Sequence, residues 1–141
     1  MPDGRDDAFH LIGAVSRAIR SSLDRRLLPH GLHAGQDAIL GCLWERDGAT
    51  PGQLARRLGL TTPTVTRAVQ RMSIAGLVER RADDDDRRMV GIWLTPRGRA
   101  LRRVVPPIVA RARADAFADL SARDQALLAG LLGRVRVGKD D

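Results

Sequence analysis

A mostly helical fold with one small β-hairpin is predicted by three observations. Apolar residues recur at three- and four-residue spacing through most of the 141 residues. Two short helix patterns, at 50–60 and 61–77, follow one another across a glycine-containing turn. A strand, an acidic turn and an alternating strand come directly after them, at 77–94. Together they describe a helix-turn-helix with a hairpin wing, set between helices at either end of the chain.

Residues 8–28 read as the first helix, with Phe9, Ile12, Val15, Ile19, Leu23 and Leu27 on one stripe and Pro29 and Gly31 as its stop. A second helix is expected over 34–46, with Ile39, Leu40, Leu43 and Trp44 inward and Asp47-Gly48 ending it. Thr50 and Pro51 then supply an N-cap and a first helical residue, Leu54, Ala55 and Leu58 an apolar face, and Gly59 a stop. The next segment repeats the device. Thr62 is expected to cap, Pro63 to begin the helix, Val65, Val69 and Met72 to face inward, and Gly76 to close it. Strands are expected at 77–81 and 89–94, the second with Val90, Ile92 and Leu94 on one side, around the turn ADDDDRR. Thr95-Pro96 starts a helix that runs toward Leu120 and breaks at Pro106-Pro107. Ser121 to Asp124 resembles a capping box ahead of a last helix carrying Leu127, Leu128, Leu131, Leu132 and Val135. Residues 1–7 and 138–141 are expected to be frayed.

Composition narrows the class. A chain of this length buries roughly 70% of its unfolded surface and needs no staple. One cysteine excludes an internal disulfide framework and a cysteine-rich zinc site. No apolar run is long enough for a membrane helix, and the acidic start is unlike a secretory leader, so a cytoplasmic location is expected. The net charge is +7, and 23 of the 24 basic residues are arginine. Residues 51–103 carry 12 basic and 5 acidic side chains, whereas 1–50 carry 6 and 7 and 104–141 carry 6 and 5. The excess therefore sits in the middle third, the footprint of a nucleic-acid-binding module in a neutral scaffold. With two Phe, two Trp and no Tyr there is little to stack single-stranded bases on, which favours duplex DNA.

The stretch AGLVERRADDDDRRMVGIWLTPRGRAL, residues 75–101, is similar to the wing signature of the MarR family of bacterial winged-helix transcription regulators. GLHAGQDAIL at 31–40 and LARRLGL at 54–60 match the family's run as well, and the resemblance extends from about residue 8 to 137. It departs from the family at His33, where Ser or Thr is usual, and at the double proline 106–107. The resemblance implies a homodimer built by helices at 8–30 and 100–137, with a DNA-binding winged region at 34–99. Alternate alanines at 112, 114, 116 and 118 suit close helix approach, and terminal helices apolar on more than one face would leave a lone subunit with an exposed patch.

On that resemblance the helix at 62–75 enters the major groove, with Thr62, Pro63, Thr64, Arg67, Gln70 and Arg71 toward DNA. The wing at 77–94 places Arg88 in the minor groove, with Asp86 orienting its guanidinium and Arg87 beside it. Arg56, Arg57, Arg80 and Arg81 are candidates for phosphate neutralisation. The family's common mode is repression relieved when a small, often aromatic or phenolic, effector enters the cleft between dimerisation and winged regions. Phe9, Ile12, Leu43 and Trp44 are the apolar candidates for lining it. No cofactor and no metal is expected, although His30 and His33 could be half of a metal site. The alternatives are a sequence-neutral architectural DNA binder, a winged helix used for protein contacts, and a thiol-sensing regulator using Cys42. Enzyme motifs (a P-loop, G-x-G-x-x-G, G-x-S-x-G and H-E-x-x-H) are absent, and the basic segment holds no His or Cys for nucleophilic or general-base work.

Overall fold

The computed structural model describes residues 7–86 and 88–136. In chain order these form helices α1 (Ala8–Leu27), α2 (Gln36–Glu45), α3 (Pro51–Leu58) and α4 (Thr62–Ile74), strands β1 (Val78–Ala82) and β2 (Val90–Leu94), and helices α5 (Pro96–Ala100), α6 (Val105–Ala116) and α7 (Ala122–Leu132). Single 3-10 turns at Leu28–His30 and Leu101–Arg103 complete the set.

Capping chemistry places the helix starts. Thr50 accepts the N–H of Gln53 at 3.2 Å, and the Gln53 side chain accepts the N–H of Thr50 at 2.9 Å, a full capping box for α3. Gly59, at φ 66°, closes that helix in the left-handed region that favours glycine. α4 begins one residue earlier than expected. Thr61 is its cap, accepting Thr64 N–H at 3.3 Å, so Thr62 is already helical and Pro63 sits in the first turn, where its missing N–H costs nothing. α2 starts at Gln36 and not at Ala34, because Gly35 adopts φ 95°, which no helix accommodates. Asp7, expected to be frayed, caps α1 by accepting His10 N–H at 2.9 Å. The rest of the expected frayed ends, 1–6 and 138–141, lies outside the described residues.

The segment after the hairpin differs most from expectation. The break falls at Leu101–Val104, ahead of the two prolines, and Pro106 and Pro107 occupy the first turn of α6. A proline there loses no helical hydrogen bond, whereas in mid-helix it would lose one and clash with the preceding turn. α6 ends at Ala116, short of Leu120. Ser121 caps α7 by accepting Asp124 N–H at 3.1 Å.

The core lies between α2, α3, α4 and the hairpin. Leu40, Leu43, Leu54, Val65, Val69, Met72, Leu77 and Ile92 are almost fully buried there, with Leu27 and Leu32 sealing the α1 side. β1 and β2 pair antiparallel with Val78 opposite Leu94 and Arg80 opposite Ile92. The chain before α3 adds a third edge, since Ile92 donates to Ala49 O at 2.8 Å and accepts Gly48 N–H at 3.0 Å. Asp47 Oδ1 accepts Leu94 N–H at 2.9 Å. The wing is thereby tied to the start of the helix-turn-helix, and the Trp93 ring occupies the space a side chain on Gly48 would need.

α1 and α7 behave differently. Only Leu27 is buried in α1 and nothing is buried in α7. α1 leans on α6, where Arg26 donates to Asp115 at 2.7 Å with Arg111 on the other oxygen at 3.6 Å. The Arg26 guanidinium, with Arg111 beside it, holds the Asp115 carboxyl below its ordinary value.

Two outcomes are expected. Gly98 of α5 is buried against the Leu77 carbonyl, and a Cβ there would overlap that backbone oxygen. Gly98→Ala should cost roughly 1–3 kcal/mol in urea unfolding, and an unchanged midpoint would mean that α5 moves freely against the wing. A depressed folded pKa contributes stability above the unfolded value and loses it as pH falls through the folded one. Asp115→Asn should therefore lower the urea midpoint at neutral pH, with the gap to wild type closing as pH drops below the ordinary aspartate value of 3.8.

Candidate nucleic-acid interface

α4 buries its apolar residues on one side, and Ile74 at its end is 88% exposed. Val65, Val69 and Met72 are buried, and Thr62, Pro63, Thr64, Arg67, Gln70 and Arg71 are all exposed on the remaining surface. Helical phase explains the split. At 100° per residue the three buried positions cluster within about 60° of arc, and Pro63, Arg67, Gln70 and Arg71 project from the opposite face. Thr64 is partly engaged, its hydroxyl 2.8 Å from that of Thr61. Among the described residues Arg67 and Arg71 form no ion pair and no hydrogen bond, so their guanidiniums are free for a partner.

The wing tip is a built turn. Asp83 N–H donates to Met89 O at 2.8 Å and Met89 N–H to Asp86 O at 2.9 Å. Asp83 Oδ1 accepts Asp85 N–H at 2.9 Å, which gives one of the four consecutive acids a turn-forming role. Asp86 Oδ1 accepts both the backbone N–H of Arg88 at 3.0 Å and its Nε–H at 3.3 Å. This is contact through one oxygen and not a bidentate fork. Asp86 holds Arg88 through its backbone N–H and Nε–H, and its terminal nitrogens have no partner among the described residues, with the side chain 92% exposed. Arg87 lies outside the described residues.

The phosphate candidates separate into free and occupied arginines. Arg56 and Arg80 are exposed without a partner among the described residues. Arg57 is 2.5 Å from Glu45, which holds its guanidinium pKa above the ordinary value. Arg81 pairs with Glu79 and lies over the Trp93 ring at 5.3 Å from its centroid. Arg97, Arg99 and Arg102 donate to the carbonyls of Ala75, Leu94 and Trp44 at 2.9, 3.0 and 3.1 Å. The basic excess of the middle third is thus partly internal bracing, and charge counting alone does not separate the two uses.

The four apolar effector candidates do not share a pocket. Phe9 is 83% exposed near the free end of α1 and Ile12 is also exposed. Leu43 is in the core, and Trp44 packs against it with its Nε1–H donated to Gly98 O at 2.9 Å. Two concavities are present instead. A groove of about 550 Å³ runs between α1 and α6, lined by Val15, Ile19, Val109, Ala112 and Phe117. A cleft of about 590 Å³ lies between α1, the start of α2 and α4, where Arg20 joins Arg67 and Arg71. Arg20 belongs to the first, net-acidic third of the chain, and no local spacing links it to α4; only folding does. Cys42 is buried in the core, and His33 lines the 590 Å³ cleft.

Residues 32–90 match the model of the MarR family. PecS of Dickeya dadantii (strain 3937), an HTH-type transcriptional regulator, is 33% identical over 141 residues, spanning 95% of this chain and 84% of PecS. TtmR of Methylorubrum extorquens (strain PA1), also an HTH-type transcriptional regulator, is 33% identical over 106 residues, 70% of this chain, and the match spans 54% of TtmR. A cysteine-to-serine mutant of MarR from E. coli, solved in complex with operator DNA, superposes with a TM-score of 0.80 at 27% identity, covering 90% of this chain and 91% of that one.

Proposed function

The chain belongs to the MarR family of DNA-binding transcription regulators, which are not enzymes, and from that premise we propose that it works as a homodimeric repressor of a pseudo-palindromic operator, released by a small effector. The observation that carries this reading is the exposed face of α4, with Arg67 and Arg71 unpaired among the described residues, beside a wing tip where Asp86 holds Arg88 Nε and the Arg88 side chain is 92% exposed. α4 enters the major groove. Arg67 or Arg71 contacts guanine bidentately, Gln70 reads adenine, and Thr62, Pro63 and Thr64 face phosphate and base edges at the helix start. Arg88 occupies the minor groove, where narrow A·T-rich stretches concentrate negative potential, with Asp86 steering it and Arg87 alongside. Arg56 and Arg80 neutralise phosphates; Arg57 and Arg81 contribute less because Glu45 and Glu79 already hold them.

The dimer is supported by apolar surface that one subunit cannot cover. Phe9, Leu11, Ile12 and Val15 of α1 and Leu127, Leu131 and Leu132 of α7 are exposed, and the apolar α1–α6 groove continues the same surface. We assign this surface, on 8–30 and 100–137, to the partner copy, and 34–99 to the winged DNA-binding region. Two-fold symmetry then sets half-sites about one helical turn apart. The effector is assigned to the 590 Å³ cleft between the dimerisation helix α1 and α4.

Selection of bound sequences from a random duplex library at about 0.15 M salt tests the whole reading. A pseudo-palindrome bound at least about 10³-fold tighter than random duplex is the expected result, and salt-dependent binding without an enriched motif identifies an architectural binder instead. Arg88→Ala should weaken operator binding roughly tenfold or more with the dimer intact; unchanged affinity removes the wing from the mechanism. Arg71→Ala should relax preference at one position per half-site, by about 1–3 kcal/mol, whereas a uniform loss across sequences makes it a phosphate contact.

A further inference from the structure

Among the large apolar side chains of the described residues, Ile74 is the most exposed, at 88%. Its place on α4 sets it apart from the exposed apolar residues of α1 and α7. At 100° per residue it falls within about 20° of Arg67, between Gln70 and Arg71. It therefore projects almost opposite to Val65, Val69 and Met72, which are buried. A helical side chain covers the turn before its own Cα, so Ile74 leans back toward Gln70 and Arg71 and not out past the helix end. Its backbone is held in place. Ala75 N–H donates to Arg71 O at 3.0 Å, and Arg97 donates to the Ala75 carbonyl at 2.9 Å. A β-branched side chain on a fixed helical backbone has one dominant rotamer, so ordering it against a partner costs little.

We propose that Ile74 packs on the 5-methyl group of a thymine in the major groove, adding one base preference per half-site to those of the α4 arginines. This rests on the reading of α4 as the DNA-facing helix. Seven residues of helix separate Arg67 from Ile74, a rise of about 10 Å, against a groove about 12 Å wide. A helix that sets Arg67 over one base edge thus keeps Ile74 within the same groove, on a separate base pair. The chemistry of the edges selects the base. Guanine, adenine and cytosine present donors and acceptors that an isoleucine side chain would cover without pairing. Thymine adds a methyl group, and closing that methyl on Ile74 removes apolar surface from water on both partners. Arg67 and Arg71 are drawn to phosphates and to hydrogen-bonding edges; the methyl is a feature that their guanidiniums do not distinguish by hydrogen bonding.

The test removes one methyl at a time. In the duplex that the random library returns, each thymine is replaced singly by deoxyuridine, which pairs alike and lacks only the 5-methyl group. Binding is then measured at fixed salt for wild type and for Ile74→Ala. Burial of one methyl is worth about fourfold in a binding constant. One thymine per half-site should therefore show a loss of about fourfold in wild type, roughly fifteenfold when both half-sites are replaced together. The loss should vanish in Ile74→Ala, a variant that should unfold thermally as wild type does because the side chain is exposed. A scan that is flat at every thymine, a selected half-site without thymine, or a loss that persists at full size in Ile74→Ala overturns the proposal. So does a changed association state in Ile74→Ala with the scan unaltered, which assigns the side chain to a contact between copies. Failure of the reading beneath it is a separate result: wild type then selects no duplex, and α4 loses its place in the groove together with Ile74.

Discussion

The direction in which the wing points depends on one close approach, between Gly98 in α5 and the carbonyl of Leu77 at the start of β1. Everything around that contact is hydrogen-bonded to fit it. The Thr95 hydroxyl accepts Gly98 N–H at 3.1 Å and lies within donating distance of Gly76 O and Leu77 O, at 2.6 and 3.0 Å. Trp44 Nε1–H donates to Gly98 O from α2, and Arg97 reaches the Ala75 carbonyl at the end of α4. The end of α4, the entry to β1, the exit from β2 and the back of α2 therefore meet at a residue that can carry no side chain. Such a junction is stiff because buried polar groups left unpaired are costly. In the proposed mode of DNA binding its stiffness would hold the wing arginine and the α4 arginines at a fixed separation, one for each groove of the duplex.

Arginine has three physical jobs in this chain, and neighbours decide which one each residue does. Arg97, Arg99 and Arg102 brace carbonyls, two of them in the last turns of helices where cations are favoured. Arg26, Arg57 and Arg81 are paired with carboxylates and are partly neutralised. Arg20, Arg56, Arg67, Arg71, Arg80 and Arg88 keep free terminal nitrogens among the described residues, and the principal arginine contacts proposed for DNA fall within this last group. The rigid planar fork of donors suits all three jobs, which is one physical reason for lysine to be rare here.

The terminal helices show a different constraint. α1 and α7 form because their apolar residues follow helical periodicity and Asp7 and Ser121 cap them, yet most of that apolar surface finds no partner among the described residues. A periodic stripe predicts that a face will be covered without identifying the cover. Phe9 and Ile12, candidates for lining an effector cleft on the family resemblance, are exposed on a single copy.

By itself the sequence determined the order of elements, the glycine and proline punctuation, the inward residues of α2 to α4 and the outward face of α4. These are local properties, set by periodicity, capping and φ preference within a few residues. Where it erred locally, at Thr61 against Thr62, two adjacent residues could each cap; at Pro106-Pro107 the break falls instead at Leu101–Val104, because prolines are tolerated in a first helical turn. Only the tertiary structure decided which arginines are free, because an ion pair such as Arg26–Asp115 joins residues 89 apart. It alone brought Arg20 to Arg67 and Arg71, and it alone separated Phe9 from Leu43 and Trp44. A cleft is made by the space between elements, and that space is fixed by how helices pack, which no single stretch of sequence encodes.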